Sequence, residues 1–252
     1  MTLYALRDDS CVLHLPMNEG SGSVVYDHSR YGNNGQIVGA NWTTGKFGSC
    51  LNFDGVDDYV YISDFSNTDP KYAISVLAWV YPIEDTASIL NRRSENKGCF
   101  NTDWRSWHIS LEKTYMRFSY HITLWNPAEE QGKVYFTHTG SNSVSYNTWY
   151  FLALTWSNTE DAFKIFLNGE LINTVPTSYQ QIYYDYDDPT ATSVDKRLFI
   201  GDFDGADCPG KKLIDEIRVY NRALSEAEIK SLYLYYQNFE VRPCILCPRP
   251  TI

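Results

Sequence analysis

Two stretches of this sequence, and a few separate tryptophans, carry side chains that could do chemistry. Gly201-Asp-Phe-Asp-Gly-Ala-Asp207 spaces Asp202, Asp204 and Asp207 around Gly205. Carboxylates alternating in a turn are donors for a hard divalent cation such as Ca²⁺. The glutamate that would complete an EF-hand loop does not follow, so an acidic turn beside Cys208 is the better reading and a cation site the weaker one. Tyr183-Tyr-Asp-Tyr186, continued by Asp187-Asp188, mixes consecutive tyrosines with acids. Such a run cannot all be buried. It reads as an exposed loop offering Tyr183, Tyr184 and Tyr186 to a ligand. Rings stack on the apolar faces of sugars, and Asn, Asp and Arg read the hydroxyls. Trp104, Trp107 and Trp125 are further rings of this kind, although aromatics that alternate in strands are usually core.

Catalytic patterns are harder to find. Glycoside cleavage needs two carboxylates flanking the scissile bond. On one strand they must sit two residues apart to share a face, and no such Glu-x-Asp run occurs. Asp215 and Glu216 are adjacent, so a regular strand would send them to opposite faces. There is no HExxH, no GxSxG and no phosphate loop. The histidines at 14, 28, 108, 121 and 138 are scattered, and His14, between Leu13 and Leu15, reads as a satisfied strand residue. Of six cysteines, only Cys244-x-x-Cys247 form a close pair. A zinc site would want a second pair or nearby histidines, so these two read as a local disulfide or as thiols in a tail. If the widely spaced cysteines bridge, Cys11 pairs with Cys50, since both lie on early strands. Binding rather than catalysis is the expectation.

The elements that must position these residues are strands. The chain has 252 residues, 15% of them aromatic, and a net charge of −10. That length allows one large β domain or two small ones. An acidic chain is a poor partner for phosphate backbones, so no nucleic acid is expected. No apolar run approaches the roughly 18 residues of a membrane span, and Met1–Asp9 lacks the features of a signal peptide. Either a leader was removed or the chain is not secreted by that route. Strand signals recur from Cys11 onward. Ala73–Tyr81 is apolar on both faces and should be covered on both. Phe163–Leu167, Asn168-Gly169 and Glu170–Val175 read as a hairpin. Ser225-Glu-Ala-Glu228 opens a single helix as a capping box. The organisation expected is an extension over residues 1–10, one domain over 11–236, and a Pro- and Cys-containing tail over 237–252.

Leu213–Tyr233 (LIDEIRVYNRALSEAEIKSLY) closely resembles the closing segment of laminin G-like domains of the concanavalin A-like lectin superfamily. Leu13–Gly22 is similar to the opening strand and acidic turn of that family. Asp27–Gly35 is similar to its Asp-x-Ser-x-x-Gly-x-x-Gly loop, and Gly45–Gly55 with Asp58–Val60 to its next strands. The resemblance implies an all-β, antiparallel two-sheet jelly-roll sandwich with one short C-terminal helix. It also implies a binding or adhesion module more often than an enzyme. Relatives often hold one structural Ca²⁺. Carried over, its ligands are Asn18 or Glu19, the backbone near Lys46, and Asp215; alternatively Asp215 caps a strand and Glu19 is a solvated turn residue. Asp85–Ser145, long and rich in Trp and Tyr, is where the chain departs from the usual domain, and Lys97–Arg105 within it is poorly described by the family pattern. The expected function is recognition of a carbohydrate or surface glycoprotein outside the cell or on a virion. The alternative is a virion or cell-surface structural subunit that assembles through the tail, and the third reading is a glycan-cleaving enzyme.

Overall fold

The computed structural model describes residues 8–84, 87–92, 106–112, 116–126, 131–141, 143–184, 195–201 and 210–239. In chain order the strands are β1 (Cys11–Leu15), β2 (Val24–Val25), β3 (Gly35–Val38), β4 (Asn41–Thr44), β5 (Ser49–Phe53) and β6 (Tyr59–Ile62). Next come β7 (Ala73–Pro82), β8 (Ala87–Arg92), β9 (Trp107–Glu112), β10 (Arg117–Asn126), β11 (Gln131–His138) and β12 (Tyr150–Ser157). The series ends with β13 (Ala162–Leu167), β14 (Glu170–Pro176), β15 (Gln181–Ile182), β16 (Leu198–Gly201), β17 (Lys212–Tyr220) and helix α1 (Glu226–Phe239).

These strands make the two antiparallel sheets of a jelly-roll sandwich. The first runs β14-β13-β12-β7-β17-β5-β4, with β1 also on β17. The second runs β11-β10-β9-β8-β16-β6-β3-β2, with β15 on β10. The described strands of the 85–145 stretch, β8 to β11, are one flank of the second sheet.

Strand β7 shows why the sandwich has two cores. Ile74, Val76, Ala78 and Val80 enter the cluster between the sheets. Leu77 and Trp79 point the other way, into a cluster shared with Phe151, Phe166, Leu224, Ile229, Leu232 and Tyr236. The second cluster glues α1 onto the outer face of the first sheet. A strand apolar on both faces is thus covered on both, as its composition predicts.

The helix begins where the capping box places it. The Glu228 backbone N–H donates to Ser225 Oγ at 3.3 Å, and the Ser225 N–H donates to Glu228 Oε2 at 2.8 Å. Arg222 also donates to Glu228, which holds that carboxyl down at about 2. Helix α1 runs to Phe239, three residues beyond the 236 boundary expected for the domain. The β13–β14 hairpin turns on Asn168 and Gly169, with φ of 52° and 78°. Both central residues are left-handed, as this two-residue turn requires.

One expected geometry is overturned in β17. The register against β7 slips between Asp215 and Arg218, and Glu216 takes a φ of 51°. Asp215 sits opposite Trp79, on the helix side. Glu216 accepts a hydrogen bond from the Tyr236 hydroxyl of α1 at 2.8 Å, so it is on that side too. Ile214 and Ile217 both face the inter-sheet core. A β-bulge inserts one residue and re-aims a side chain, so the two adjacent acids share a face instead of alternating.

The Cys11–Cys50 pairing is also overturned: both are free thiols. Cys11 lies opposite Tyr220 at one end of β17, and Leu51, next to Cys50, lies opposite Ile214 near the other. Their sulfurs instead approach the carbonyls of Leu13 (3.3 Å) and Thr44 (3.6 Å). Cys244 and Cys247 lie outside the described residues.

Candidate ligand-binding rim

At one end of the sandwich, loops are tied into a single rim. Asp27 organises the first of them. Its Oδ1 accepts backbone N–H bonds from His14 and Ser29, and its Oδ2 accepts from the Ser29 hydroxyl and the Asn33 N–H, all at 2.7–2.9 Å. Asn33 Nδ2 then donates to the Val12 carbonyl and to the Thr68 hydroxyl, both at 3.1 Å, joining this loop to the next. The Tyr26 N–H donates to Glu19 Oε1 at 2.9 Å. The loop turns its rings outward: Tyr26 is 54% and Tyr31 37% exposed, and the Arg30 guanidinium lies 5.1 Å from the Tyr31 ring centre.

Residues 68–72 are the hub. The Asp69 carboxylate holds Arg92 of β8 through two bonds, Arg92 Nε at 2.9 Å and Nη2 at 2.7 Å. The Pro70 carbonyl accepts the Tyr184 hydroxyl at 2.6 Å. The Lys71 and Tyr72 carbonyls accept the N–H groups of Ile182 and Asn158. Gln180 donates its N–H to the Trp125 carbonyl, and Trp125 stacks on Tyr183 with ring centres 4.7 Å apart. Tyr72 projects from the hub, 56% exposed. Among the described residues, every exposed tyrosine (Tyr26, Tyr31, Tyr72) is on this rim.

The rings expected to meet a ligand are placed differently. Trp107 is in the inter-sheet core. Tyr184 is fully buried beneath Arg92, whose guanidinium is 5.3 Å from its ring centre, and Tyr183 is buried against Trp125. The 183–184 pair is therefore a strut for the rim and not its contact surface. Trp125 is the ring of that set that keeps some exposure. Trp104 and Tyr186 lie outside the described residues, as do Asp202, Asp204 and Asp207. The signal missed for Tyr26 and Tyr31 was their position: each lies beside a loop residue that turns the chain, where no strand partner can cover it.

Three of the residues expected to hold calcium, Asn18, Lys46 and Asp215, meet around one loop, residues 45–48. Asp215 Oδ2 accepts the Phe47 N–H at 3.0 Å, and the Ser49 N–H donates to Asn18 Oδ1 at 3.1 Å. Burial pushes the Asp215 carboxyl up to about 8. Asp215 Oδ1 and Glu19 Oε2 are both buried and accept no hydrogen bond. Lys46 contributes backbone here, while its ammonium lies 5.3 Å from the Trp79 ring centre. A separate acidic group was not expected: Asp54, Asp57 and Asp58, on the β5–β6 connection, bring their carboxylate oxygens within 4.8 Å of one another.

Asp215 and Glu216 share a face, yet they cannot act on a substrate. Both are buried, Glu216 against Tyr236 of α1 and Asp215 against the 45–48 loop. His14 Nε2 lies 3.2 Å from Glu216 Oε2, and Arg218 packs over Tyr236. Burial would raise the Glu216 carboxyl, but His14, Arg218 and Tyr236 hold it below the usual range.

A laminin G-like family model, described as the concanavalin A-like lectin/glucanases superfamily, matches residues 54–230, well over half of the chain. The chain belongs to this superfamily. No curated protein sequence matches it. Among solved structures it is similar to the binding domain of Paraclostridial Mosquitocidal Protein 1, at 16% identity and a TM-score of 0.68, over 92% of this chain and 54% of that one. The binding domain of botulinum neurotoxin serotype G gives 16% identity and a TM-score of 0.63, over 89% and 51%. The serotype D ligand-binding domain, in complex with N-acetylneuraminic acid, gives 16% and 0.61, over 93% and 53%. At these identities the likeness concerns the fold. The chain spans about half the length of each. Its own fold is lectin-like, and among the described residues no helix is long and apolar enough to cross a membrane.

Proposed function

We propose that this domain is a non-catalytic binding module that recognises a carbohydrate or a glycosylated cell-surface ligand through its rim. The observation that carries this reading is the placement of Tyr26, Tyr31 and Tyr72, with Arg30, on loops pinned by Asp27 and by the Arg92–Asp69 pair. Binding side chains work best on loops held by a rigid scaffold. Exposed tyrosine rings beside a guanidinium suit sugar faces and hydroxyls. The adjacent acids that a hydrolase could use are instead buried, Glu216 against α1 and Asp215 against the 45–48 loop. Structures of similar fold are binding domains, one solved with a sugar and another with rat synaptotagmin II, which supports a ligand of either kind. A glycan array tests the reading. The wild-type domain should bind a defined subset of glycans, and Tyr31→Ala with Tyr72→Ala should reduce that signal at least about tenfold, the loss of one good stacking contact per ring. Binding left unchanged by the double variant would remove the rim from consideration.

Calcium belongs to the same proposal. Asp215 and Glu19 would supply carboxylate oxygens, Asn18 an amide oxygen and the Lys46 region backbone. The two buried carboxylate oxygens without a hydrogen-bond partner are what a cation would satisfy. A bound ion stabilises the fold by mass action. The melting temperature should therefore rise with millimolar Ca²⁺ over chelator, and Asp215→Asn should abolish the rise. A rise that survives Asp215→Asn but is lost in Asp58→Asn would assign the ion to the 54–58 cluster instead.

A further inference from the structure

Asn41-Trp42-Thr43 is the single place in the chain where an asparagine is followed two positions on by serine or threonine. At Asn67, Asn147, Asn158 and Asn173 the threonine follows directly, one position too early. An asparagine with a hydroxyl residue at that offset, and no proline between, is the acceptor pattern for N-linked sugar, and it needs a surface position. The fold provides one. The three residues lie in β4, the end strand of the first sheet, which pairs with β5 on one side. Among the described residues β4 has no strand on its other side. The chain arrives from β3 of the second sheet through Gly39, whose φ of 78° helps turn the corner. Asn41 is thus the first strand residue after the chain crosses between the sheets.

Local structure aims the two reacting side chains the same way. Trp42, between them, packs against the inter-sheet core, and its indole N–H donates to the Gly22 carbonyl at 2.8 Å. Successive side chains of a strand point to opposite faces, so Asn41 and Thr43 project together from the face away from that core. Both are exposed, as are Val38 and Gly39 before them and Thr44 after them. The amide and the hydroxyl that is recognised with it are presented side by side, with the residue between them pinned. The open edge also leaves room for a bulky group. Free strand edges are templates for pairing with other chains, and proteins blunt or cover them; a sugar on β4 would do so.

We propose that Asn41 of the folded domain is the acceptor for one N-linked oligosaccharide. The donor is a polyprenyl-pyrophosphate-linked oligosaccharide, and the catalyst is a membrane oligosaccharyltransferase of the secretory route. In the transfer, Asn41 Nδ2 forms a bond to the anomeric carbon of the sugar and gives up one proton. The bond from that carbon to the pyrophosphate breaks, and its electron pair leaves with the polyprenyl pyrophosphate. Neither Asn41 nor Thr43 belongs to the rim or to the residues assigned to calcium, so the site stands apart from both readings. The folded full chain, incubated with this donor and the purified transferase and read by intact mass, tests it. The mass should rise by one oligosaccharide per chain, and peptide mapping should place it on Asn41. Thr43→Ser should keep the gain. Asn41→Gln and Thr43→Val should lose it while keeping the wild-type circular dichroism, since both positions are exposed. No gain on the folded chain would overturn the proposal. A free peptide covering residues 38–46 then separates the causes: modified peptide beside unmodified chain means that the fold withholds Asn41, and neither modified means that the motif is not an acceptor. A gain that survives Asn41→Gln, or one seen only after the chain is denatured, would also overturn it.

Discussion

Trp79→Ala is expected to lower the unfolding free energy by about 3–5 kcal/mol, measured by urea denaturation followed by tyrosine and remaining tryptophan fluorescence. Trp79 is 1% exposed and is the centre of the cluster that attaches α1. Phe47 and Phe151 pack against it with ring centres at 5.4 Å each, Tyr233 stacks at 5.9 Å, and Tyr236 meets it edge-on at 6.1 Å. Removing the indole leaves a cavity between the sheet and the helix at the centre of their shared cluster. Helix α1 turns Ile229, Leu232, Tyr233 and Tyr236 toward the cluster built around Trp79, so its packing there largely sets its stability. The loss should be local at first: amide exchange of 226–239 should accelerate more than that of β12 or β13. Trp79→Phe, which keeps a ring, should cost markedly less. Equal acceleration throughout the chain would show that the helix is not a separable layer.

The fold was legible because strand and turn chemistry agreed with the global architecture. The double-faced pattern of β7, the Asn168-Gly169 turn and the Ser225–Glu228 box each state their geometry locally. The site was less legible, for three physical reasons. Strand periodicity assumes no bulge, and the slip at Asp215–Arg218 reverses the side of Glu216. Sequence distance hides register: His108-Ile-Ser110 and Ser119-Tyr-His121 show the period of two, but nothing in the chain says that the two histidines face each other. Exposure of a polar-aromatic run depends on what the rings find to bond. Tyr184 is buried because Pro70 offers its hydroxyl a carbonyl and Arg92 offers its ring a cation. Neither partner lies near it in sequence.

Arg92 carries the other large expected effect, and it couples the core to the rim. Its side chain is 2% exposed and that of its partner Asp69 is 1%. Two charges removed from water are tolerated only when their hydrogen bonds are complete. Here the guanidinium also donates to the carbonyls of Asp195 at 2.9 Å and Arg197 at 3.5 Å. Arg92→Met should therefore cost about 3–5 kcal/mol, because it strands the Asp69 carboxylate in a dry environment. Arg92→Lys should cost nearly as much, since a single ammonium cannot reproduce the forked bonds to Asp69. The double variant Arg92→Met/Asp69→Leu removes both charges and should recover a large part of the loss, to within about 1–2 kcal/mol of the wild type. The functional consequence differs from the stability one. Asp69 lies next to Thr68, which anchors the Tyr31 loop, and near Tyr72, so the stable double variant should still bind ligand weakly, its rim no longer held by the fork. If the double variant were as unstable as Arg92→Met alone, the stranded-charge account would fail. If it were stable and bound glycan at full strength, the pair would be a core element with no hold on the rim.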